Sequence, residues 1–459
     1  MEKGKSVSIR PPGPLAHPMF RLIWCGAFLS NIGNWMENSA QNWAVVTQVA
    51  RDRQAFWSEI LNFADFSPAL LLVLLAGVIT DRVNVKRYLL LLQCLACLLG
   101  ALLAGAAWMG YASPMVVIAF TFAEGIVWAL NGPPWQAVVP ALVPRSLLPR
   151  AVALNALQFN LARLTGPVLA GFVILHFGIP MAFTINAVSF ALVIYAIARL
   201  PAEAQRPAGV ERPLLGDMMT GIALVRRHPG LRRLALMLCI FMFLSAPLQG
   251  LLAVYVTTVL HGDSRMFGLL LGAIGTGAVC GALVIGRIPS YYPRHHLIPL
   301  AMCLACLAIL GFSFTSHPAA SFGVLVIVGF FYMLTLNSSN AATQLLAADP
   351  NRGRILSVIL LCNQGALPLG HLFAAGLTHF LSPVMVIRST ASVLLVVAGW
   401  FLLRREPAID AMERRRRRFG VVAGVWEALT AQSHRPIPEA VKSDMAGEAE
   451  RPNDLTPHG

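Results

Sequence analysis

Gly77-Val-Ile-Thr-Asp81-Arg82-Val-Asn-Val-Lys86-Arg87 interrupts two long apolar texts with a knot of charge. Residues from about 57 to 80 lead into it and residues from about 88 to 110 follow it; each run is close to the roughly 20 residues a helix needs to cross about 30 Å of hydrocarbon. Basic residues gathered in a short turn between two such runs mark a membrane hairpin on the side where Lys and Arg are retained.

The same unit recurs along the chain. Apolar runs predict spanning helices over about 22–48, 57–80, 88–110, 114–142, 151–176 and 180–199, then over about 233–259, 264–288, 297–316, 319–346, 355–379 and 382–403. Between the two sets a segment rich in Pro, Arg and Gly carries a short amphipathic helix near Leu214–Val225. The expected fold class is therefore an all-α polytopic membrane protein of twelve transmembrane helices. Its units are a six-helix bundle over 1–200, a linker over 201–232, a second six-helix bundle over 233–404 and a tail over 405–459, expected to be partly disordered.

Composition agrees. Of 459 residues 57% are apolar and only 12% charged, and the mean hydropathy is +0.67. A soluble domain carries about 25% charge, so the natural solvent here is a bilayer. Backbone groups find no water there, which leaves closed helices or a closed barrel. A barrel would alternate apolar and polar residues over segments of about 10 residues, and no such alternation is present.

The net charge is +14. Its placement argues for a membrane surface rather than nucleic acid. With the N-terminus cytoplasmic, thirty Lys and Arg fall on the inner side and only Arg51, Arg53 and Arg265 on the outer; Arg163 and Arg388 lie within spans. That bias puts both termini inside a bacterial cytoplasmic membrane. The run Arg414–Arg418, followed by Val421, Val422, Val425 and Leu429, is either a helix lying on the anionic inner leaflet or a solvated stop-transfer run. No cleavable signal peptide is expected, because Asn31, Asn34, Glu37, Asn38, Gln41 and Asn42 interrupt the first apolar run.

The two halves repeat. Gly77 and Cys94-Leu-Ala-Cys97 are matched, 209 positions later, by Gly286 and Cys303-Leu-Ala-Cys306. Arg150 and Gly166 are matched 204 positions later by Arg354 and Gly370. Each half reads as one copy of a six-helix unit, with a shared central site between copies. Ser290 stands where the first copy has Asp81, so a charged latch belongs to the N-terminal copy. In that latch the Gly permits close helix approach, the Asp interacts with the positive end of a neighbouring helix, and the basic residues pair with it or with lipid. An ordinary positive-inside loop is the plainer alternative.

Gly77-x3-Asp81-Arg82-x3-Lys86-Arg87 resembles the cytoplasmic signature of the major facilitator superfamily. Ala153-x8-Ala162-x3-Gly166-Pro167-x2-Ala170-Gly171 resembles that superfamily's antiporter signature, with Ala for Gly at three positions. Trp35-Met36…Ala40-Gln41-x-Trp43, Phe66-Ser-Pro68-Ala-Leu-Leu and Gln136-Ala-x-x-Pro140-x-Leu-Val-Pro144 add to the likeness, as does Asn155…Asn160-x-Ala-Arg163-x-x-Gly166-Pro167. Together they resemble the transmembrane secretion effectors, which include enterobactin-exporter-like and macrolide-efflux-like proteins, over roughly 18–404. The resemblance implies export of a small organic compound. It also implies that spans one, four, seven and ten line a central cavity, and that Ala162, Gly166, Pro167 and Gly171 help to seal the exit route.

An ionisable side chain in hydrocarbon costs about 3 kcal/mol or more, which makes each one a functional candidate. The candidates are Glu124, Arg163, Glu37 and Asp65. At about 1.5 Å per residue, Glu124 and Arg163 lie near the midplane. The resemblance places Glu37 and Glu124 on the cavity, with Arg163 and Asp65 flanking. Glu124 is the favoured proton carrier, exchanging its proton for substrate; a static Glu124–Arg163 ion pair is the structural alternative. In the second half the polar candidates are Gln249, Tyr255, Asn337, Ser338, Asn340, Asn363, Gln364 and His371. The Gly run of span eight, from Gly268 to Gly286, reads as a packing face.

All eight cysteines lie in apolar runs, with no His or carboxylate beside either C-x-x-C pair, so neither a metal nor a redox centre is expected. No phosphate-binding loop of the Gly-x4-Gly-Lys-Ser/Thr type is present, and no nucleophile elbow. Neither an enzyme nor a cofactor is expected. The reading is a proton-coupled exporter of a drug-like, siderophore-like or other secondary metabolite, acting as a monomer with protons, a small-molecule substrate and lipid as its partners. An importer or facilitator on the same fold, and a transport-inactive sensor or lipid translocator, are the rivals.

Overall fold

The computed structural model describes residues 13–138, 140, 142–200, 214–285, 294–347 and 351–404. The first half contains α1 (Pro18–Gln48), α2 (Gln54–Arg82), α3 (Val85–Trp108), α4 (Pro114–Val138), α5 (Leu148–Phe177) and α6 (Ile179–Ala198). The linker contributes α7 (Leu214–Arg227). The second half contains α8 (Pro229–Thr258), α9 (Ser264–Ile285), α10 (Arg294–Phe312), α11 (Pro318–Leu346), α12 (Arg352–Leu377) and α13 (Pro383–Leu403). No strand occurs among the described residues.

Local chemistry sets the helix ends. Proline opens α1, α5, α6, α8, α11 and α13, where its missing N–H costs nothing. Asn84, His228, His317 and Ser382 cap α3, α8, α11 and α13 by accepting from backbone N–H groups of the first turn. Gly178 reverses the chain between α5 and α6 at φ +82°, a conformation a Cβ would resist. The fourth helix ends at Val138, short of the expected 142, after Pro133 and Pro134.

Nine of the described spans are long and apolar enough to cross a membrane by length and composition alone, and His296–Phe312 is a shorter apolar helix. In α1 and α2 the apolar text is diluted by interior amides and acids: Asn38, Gln41 and Asn42 in the first, Glu59, Asn62 and Asp65 in the second. The outer surface of α3 shows what faces lipid. Leu91, Leu95, Leu98 and Leu102 are exposed at helical spacing along one stripe.

The repeat seen in the sequence is a repeat in packing. α2 packs on α4 as α9 packs on α11, and α3 packs on α6 as α10 packs on α13. α1 lies against α5 and α6 as α8 lies against α12 and α13. Gly166 abuts the backbone of α1 at Ile32 and Met36, and its counterpart Gly370 abuts α8 at Phe243 and Ala246. The halves meet along two seams that the same symmetry interchanges, α5 with α9 and α2 with α12.

The glycines of α9 divide into two faces rather than one. Gly268, Gly272 and Gly275 meet α5, whereas Gly277 and Gly281 meet the backbone of α11. At Gly77 a Cβ would meet nothing within 4 Å among the described residues. α7 is the amphipathic linker helix. Its Gly221 sits on the carbonyl of Arg354, and Val225 is buried with Leu231, Ile355 and Val358. The side of the molecule carrying α7 is called the linker face below, and the opposite side the far face.

Candidate functional site

A cavity opens between the halves. Trp35, Asn38 and Asn42 of α1, Asn62 of α2 and Arg163 of α5 line one side; Gln249 of α8, Phe267 of α9, Tyr332 of α11 and Leu367 of α12 line the other. The mixture is amide and aromatic with apolar filling, the composition of a site that holds a small organic molecule by surface contact and a few polar anchors.

Among the described residues, Arg163 is the single charged one on that wall. Its guanidinium lies over the Trp35 indole, 5.4 Å from the ring centroid. Among the described residues it forms no ion pair, so the Glu124–Arg163 bridge is not part of this structure. Glu124 turns instead to α1, where its Oε2 accepts from Gln41 Nε2 at 2.7 Å; its Oε1 is buried without a partner. Asp65 accepts from Asn38 Nδ2 at 2.8 Å and so stands one hydrogen bond behind the cavity wall. Glu37 does not face the cavity. It is buried inside the first bundle, accepting from Asn186 of α6 beside Gly100 of α3. Rotation of α1 explains this: Trp35, Asn38 and Asn42 share the cavity stripe at i, i+3 and i+7, and Glu37 falls off it.

The second-half candidates divide similarly. Gln249 lines the cavity, but Asn337 and Asn340 do not, and Asn340 is exposed. Tyr255 is a structural tie, donating to the carbonyl of Thr315 at 2.6 Å. Ser338 is buried with its hydroxyl unpartnered. His371 leaves the cavity to meet Glu59, an acid the sequence reading passed over. Tyr332, Asn38 and Asn62 were likewise not anticipated on the wall.

The antiporter-like stretch of α5 is a packing surface. Ala162, Gly166, Pro167 and Gly171 are all buried. A Cβ on Gly171 would strike the backbone of Ser264 and Arg265 at 2.6–3.0 Å, and the Pro167 carbonyl seats against Gly268. Pro167 also lines the cavity. In the loop between α2 and α3, Lys86 Nζ donates to the carbonyl of Leu200 at 2.6 Å and the side chains of Arg82 and Arg87 are exposed. The side chain of Asp81, residues 286–293 with Ser290, the stretch 201–213 and the tail from 405 lie outside the described residues. All eight cysteines are free, and no group of three or more His, Cys, Asp or Glu able to hold a metal occurs among the described residues.

Several curated proteins are similar to this chain over most of its length. The staphyloferrin A transporter of Staphylococcus aureus is 25% identical over 362 residues, 77% of this chain and 88% of that one. The multidrug efflux pump Tap of Mycobacterium tuberculosis is 27% identical over 370 residues, 78% and 86% of the two chains. Macrolide efflux protein A of Streptococcus pyogenes is 22% identical over 368 residues, 78% and 88% of the two. Among solved structures, an inward-facing, occupied bacterial homologue of the human lysosomal transporter Spinster superposes with a TM-score of 0.66 at 15% identity, covering 86% of this chain and 100% of that one. The human organic anion transporter MFSD10 does so with a TM-score of 0.59 at 16% identity, covering 85% and 100%. The family model described as transmembrane secretion effector matches residues 9–423, and the chain belongs to that family of major facilitator transporters.

Proposed function

We propose that this protein is a proton-coupled exporter of a small organic molecule, working across a bacterial cytoplasmic membrane with both termini and α7 on the cytoplasmic side. The observation that carries this reading is the cavity between the halves, roofed toward the far face by the two seams, with Arg163 and a ring of amides on its wall. The charge bias of the loops makes the far face external. Release to that side then requires the seams to part, and the same cavity opens alternately to either side.

Relatives whose names specify a siderophore, macrolides or multiple drugs support export of a bulky organic solute. Glu124 lies within electrostatic reach of Asp65 on one side and of Glu37, inside the first bundle, on the other. Such a cluster responds in charge to a proton or to a bound solute. Asn38 gives Asp65 a direct route to the cavity, and Glu124 is the proposed exchanger.

Everted vesicles test the reading. Adding macrolides or carboxylate chelators to energised vesicles is expected to release protons from the lumen, and dissipating the proton gradient is expected to stop solute uptake. Uptake that survives full dissipation sinks proton coupling. A Glu124→Gln variant is expected to lose at least tenfold in proton-driven flux at normal abundance; unchanged flux removes Glu124 from the exchange.

A further inference from the structure

Glu59 and His371 stand 312 positions apart in sequence and on opposite halves, yet Glu59 Oε2 and His371 Nδ1 are 2.6 Å apart. Neither side chain has any exposed surface. The remaining polar atoms, Glu59 Oε1 and His371 Nε2, are buried with no hydrogen-bond partner. The Phe66 ring lies parallel to the imidazole at 5.9 Å. Beneath the carboxyl is Gly250 of α8, where a Cβ would come within 2.5–2.6 Å of it, and Ser58 holds the same residue through its carbonyl at 2.6 Å. Asn62 and Leu367 lie one helical turn further toward the linker face and line the cavity. The pair is thus the cavity's roof at the seam of α2 with α12.

We infer that the Glu59–His371 pair is a proton-binding site of the transporter, and that closing the far face over the cavity takes up one proton there. The inference rests on the alternating opening of the two faces set out above. When the seam parts, water reaches both groups and they hold their ordinary charges. Above about pH 6.5 the carboxylate is then ionised and the imidazole neutral, a net charge of −1. When the seam closes, that charge would be sealed in with no solvent and no cation, an arrangement that is strongly disfavoured. One added proton makes the pair neutral, as carboxylate with imidazolium or as carboxyl with imidazole. Closure is therefore favoured by protons and weakens as pH rises above about 6.5.

Among the described residues no other charge supplies the balance. On the pair's own helices, Asp65 is held by Asn38, and His379 lies against the Phe56 ring at the far end. On α1 and α4, Glu37 and Glu124 are held by Asn186 and Gln41. On α8, Tyr255 bonds to the α10–α11 turn, and Arg233 reaches carbonyls of Phe401 and Arg404 at the linker face. Arg352 and Arg354 of α12, Arg232 of α8 and Arg226 and Arg227 of α7 also lie at the linker face, and Tyr332 of α11 donates to Met242. Neither member of the pair has another hydrogen bond or ion pair among the described residues.

Spin labels at Arg53→Cys and Phe380→Cys, on exposed positions across this seam, read its closure by pulsed electron resonance. The measurement uses full-length protein in lipid nanodiscs with the eight native cysteines replaced by Ser. Between about pH 6.5 and 8.5 the ratio of closed to open populations is expected to fall about tenfold per pH unit, as one-proton linkage requires. Glu59→Gln is expected to flatten that dependence. If this variant does not assemble, Glu59→Leu with His371→Phe removes both ionisable groups, and the same flattening is expected. A ratio that ignores pH in the parent, or that titrates unchanged in the variants, overturns the site. Proton-driven flux in vesicles is read separately. A seam that titrates without such flux sinks the exporter reading and keeps the site; flux with a non-titrating seam does the reverse.

Discussion

Along the seam of α5 with α9, glycines bring the two backbones close together. The Pro167 carbonyl lies against Gly268, Ser264 Oγ donates to the Gly171 carbonyl at 3.2 Å, and Gly275 lies on Leu164. Along the seam of α2 with α12, related to it by the internal repeat, side chains make the contact: Glu59 with His371, Phe66 on the imidazole, Phe56 on His379. Both join the halves, but they report different things. The first is held by close van der Waals approach, with Arg265 of α9 over the Phe172 ring of α5, and contains no acid or imidazole contact among the described residues. The second is tight only while its charges balance. Two seams related by the internal repeat share their helix pairing, but only one of them joins a carboxyl to an imidazole.

Overfilling the seam of α5 with α9 is expected to have the largest effect on transport. Gly268→Leu would drive a side chain into the Pro167 carbonyl, and backbone on both sides has little room to yield. Transport is expected to fall to background, with a loss of about 1–3 kcal/mol or more in thermal unfolding of purified protein. Normal flux would show that this seam is not the tight one.

Cutting the polar seam sharpens the contrast. Glu59→Leu or His371→Leu alone leaves a buried ionisable group without its partner and is expected to cost about 3–5 kcal/mol. The double variant is expected to recover most of that loss, because apolar pairs of similar volume replace buried ion pairs well. Melting curves of the four proteins form the cycle. Additive losses would mean that the two groups do not interact.

The mildest change is Ser58→Ala, which removes one hydrogen bond to the Gly250 carbonyl. It is expected to cost about 0.5–1.5 kcal/mol and to leave the pH dependence of closure in place. A shift of that dependence as large as the one from Glu59→Gln would place the proton elsewhere on the α2–α8 contact.

Much of the architecture was legible before any coordinates. The apolar runs located the long helices, and Leu214–Val225 marked the linker helix that spans Leu214–Arg227. The match of Arg150 and Gly166 with Arg354 and Gly370 pointed to equivalent packing positions on α5 and α12. The site was legible only in part. Arg163 and Gln249 reached the cavity, whereas Glu37 turned into the first bundle and Tyr255 became a tie between elements. Glu59 escaped notice because it sits just inside the expected start of its span, where an acid reads as a boundary residue. The helix begins earlier, at Gln54, and carries Glu59 into the packed interior.

The sequence by itself determined that the chain lives in a bilayer, how many times it crosses, and that its second half repeats its first. Those properties depend on hydropathy summed over neighbouring residues, which a linear text contains. Tertiary structure alone decided which side of each helix meets the cavity, and that a carboxyl on α2 meets an imidazole on α12. Facing is set by how a helix is rotated against its neighbours, and those neighbours come from hundreds of residues away.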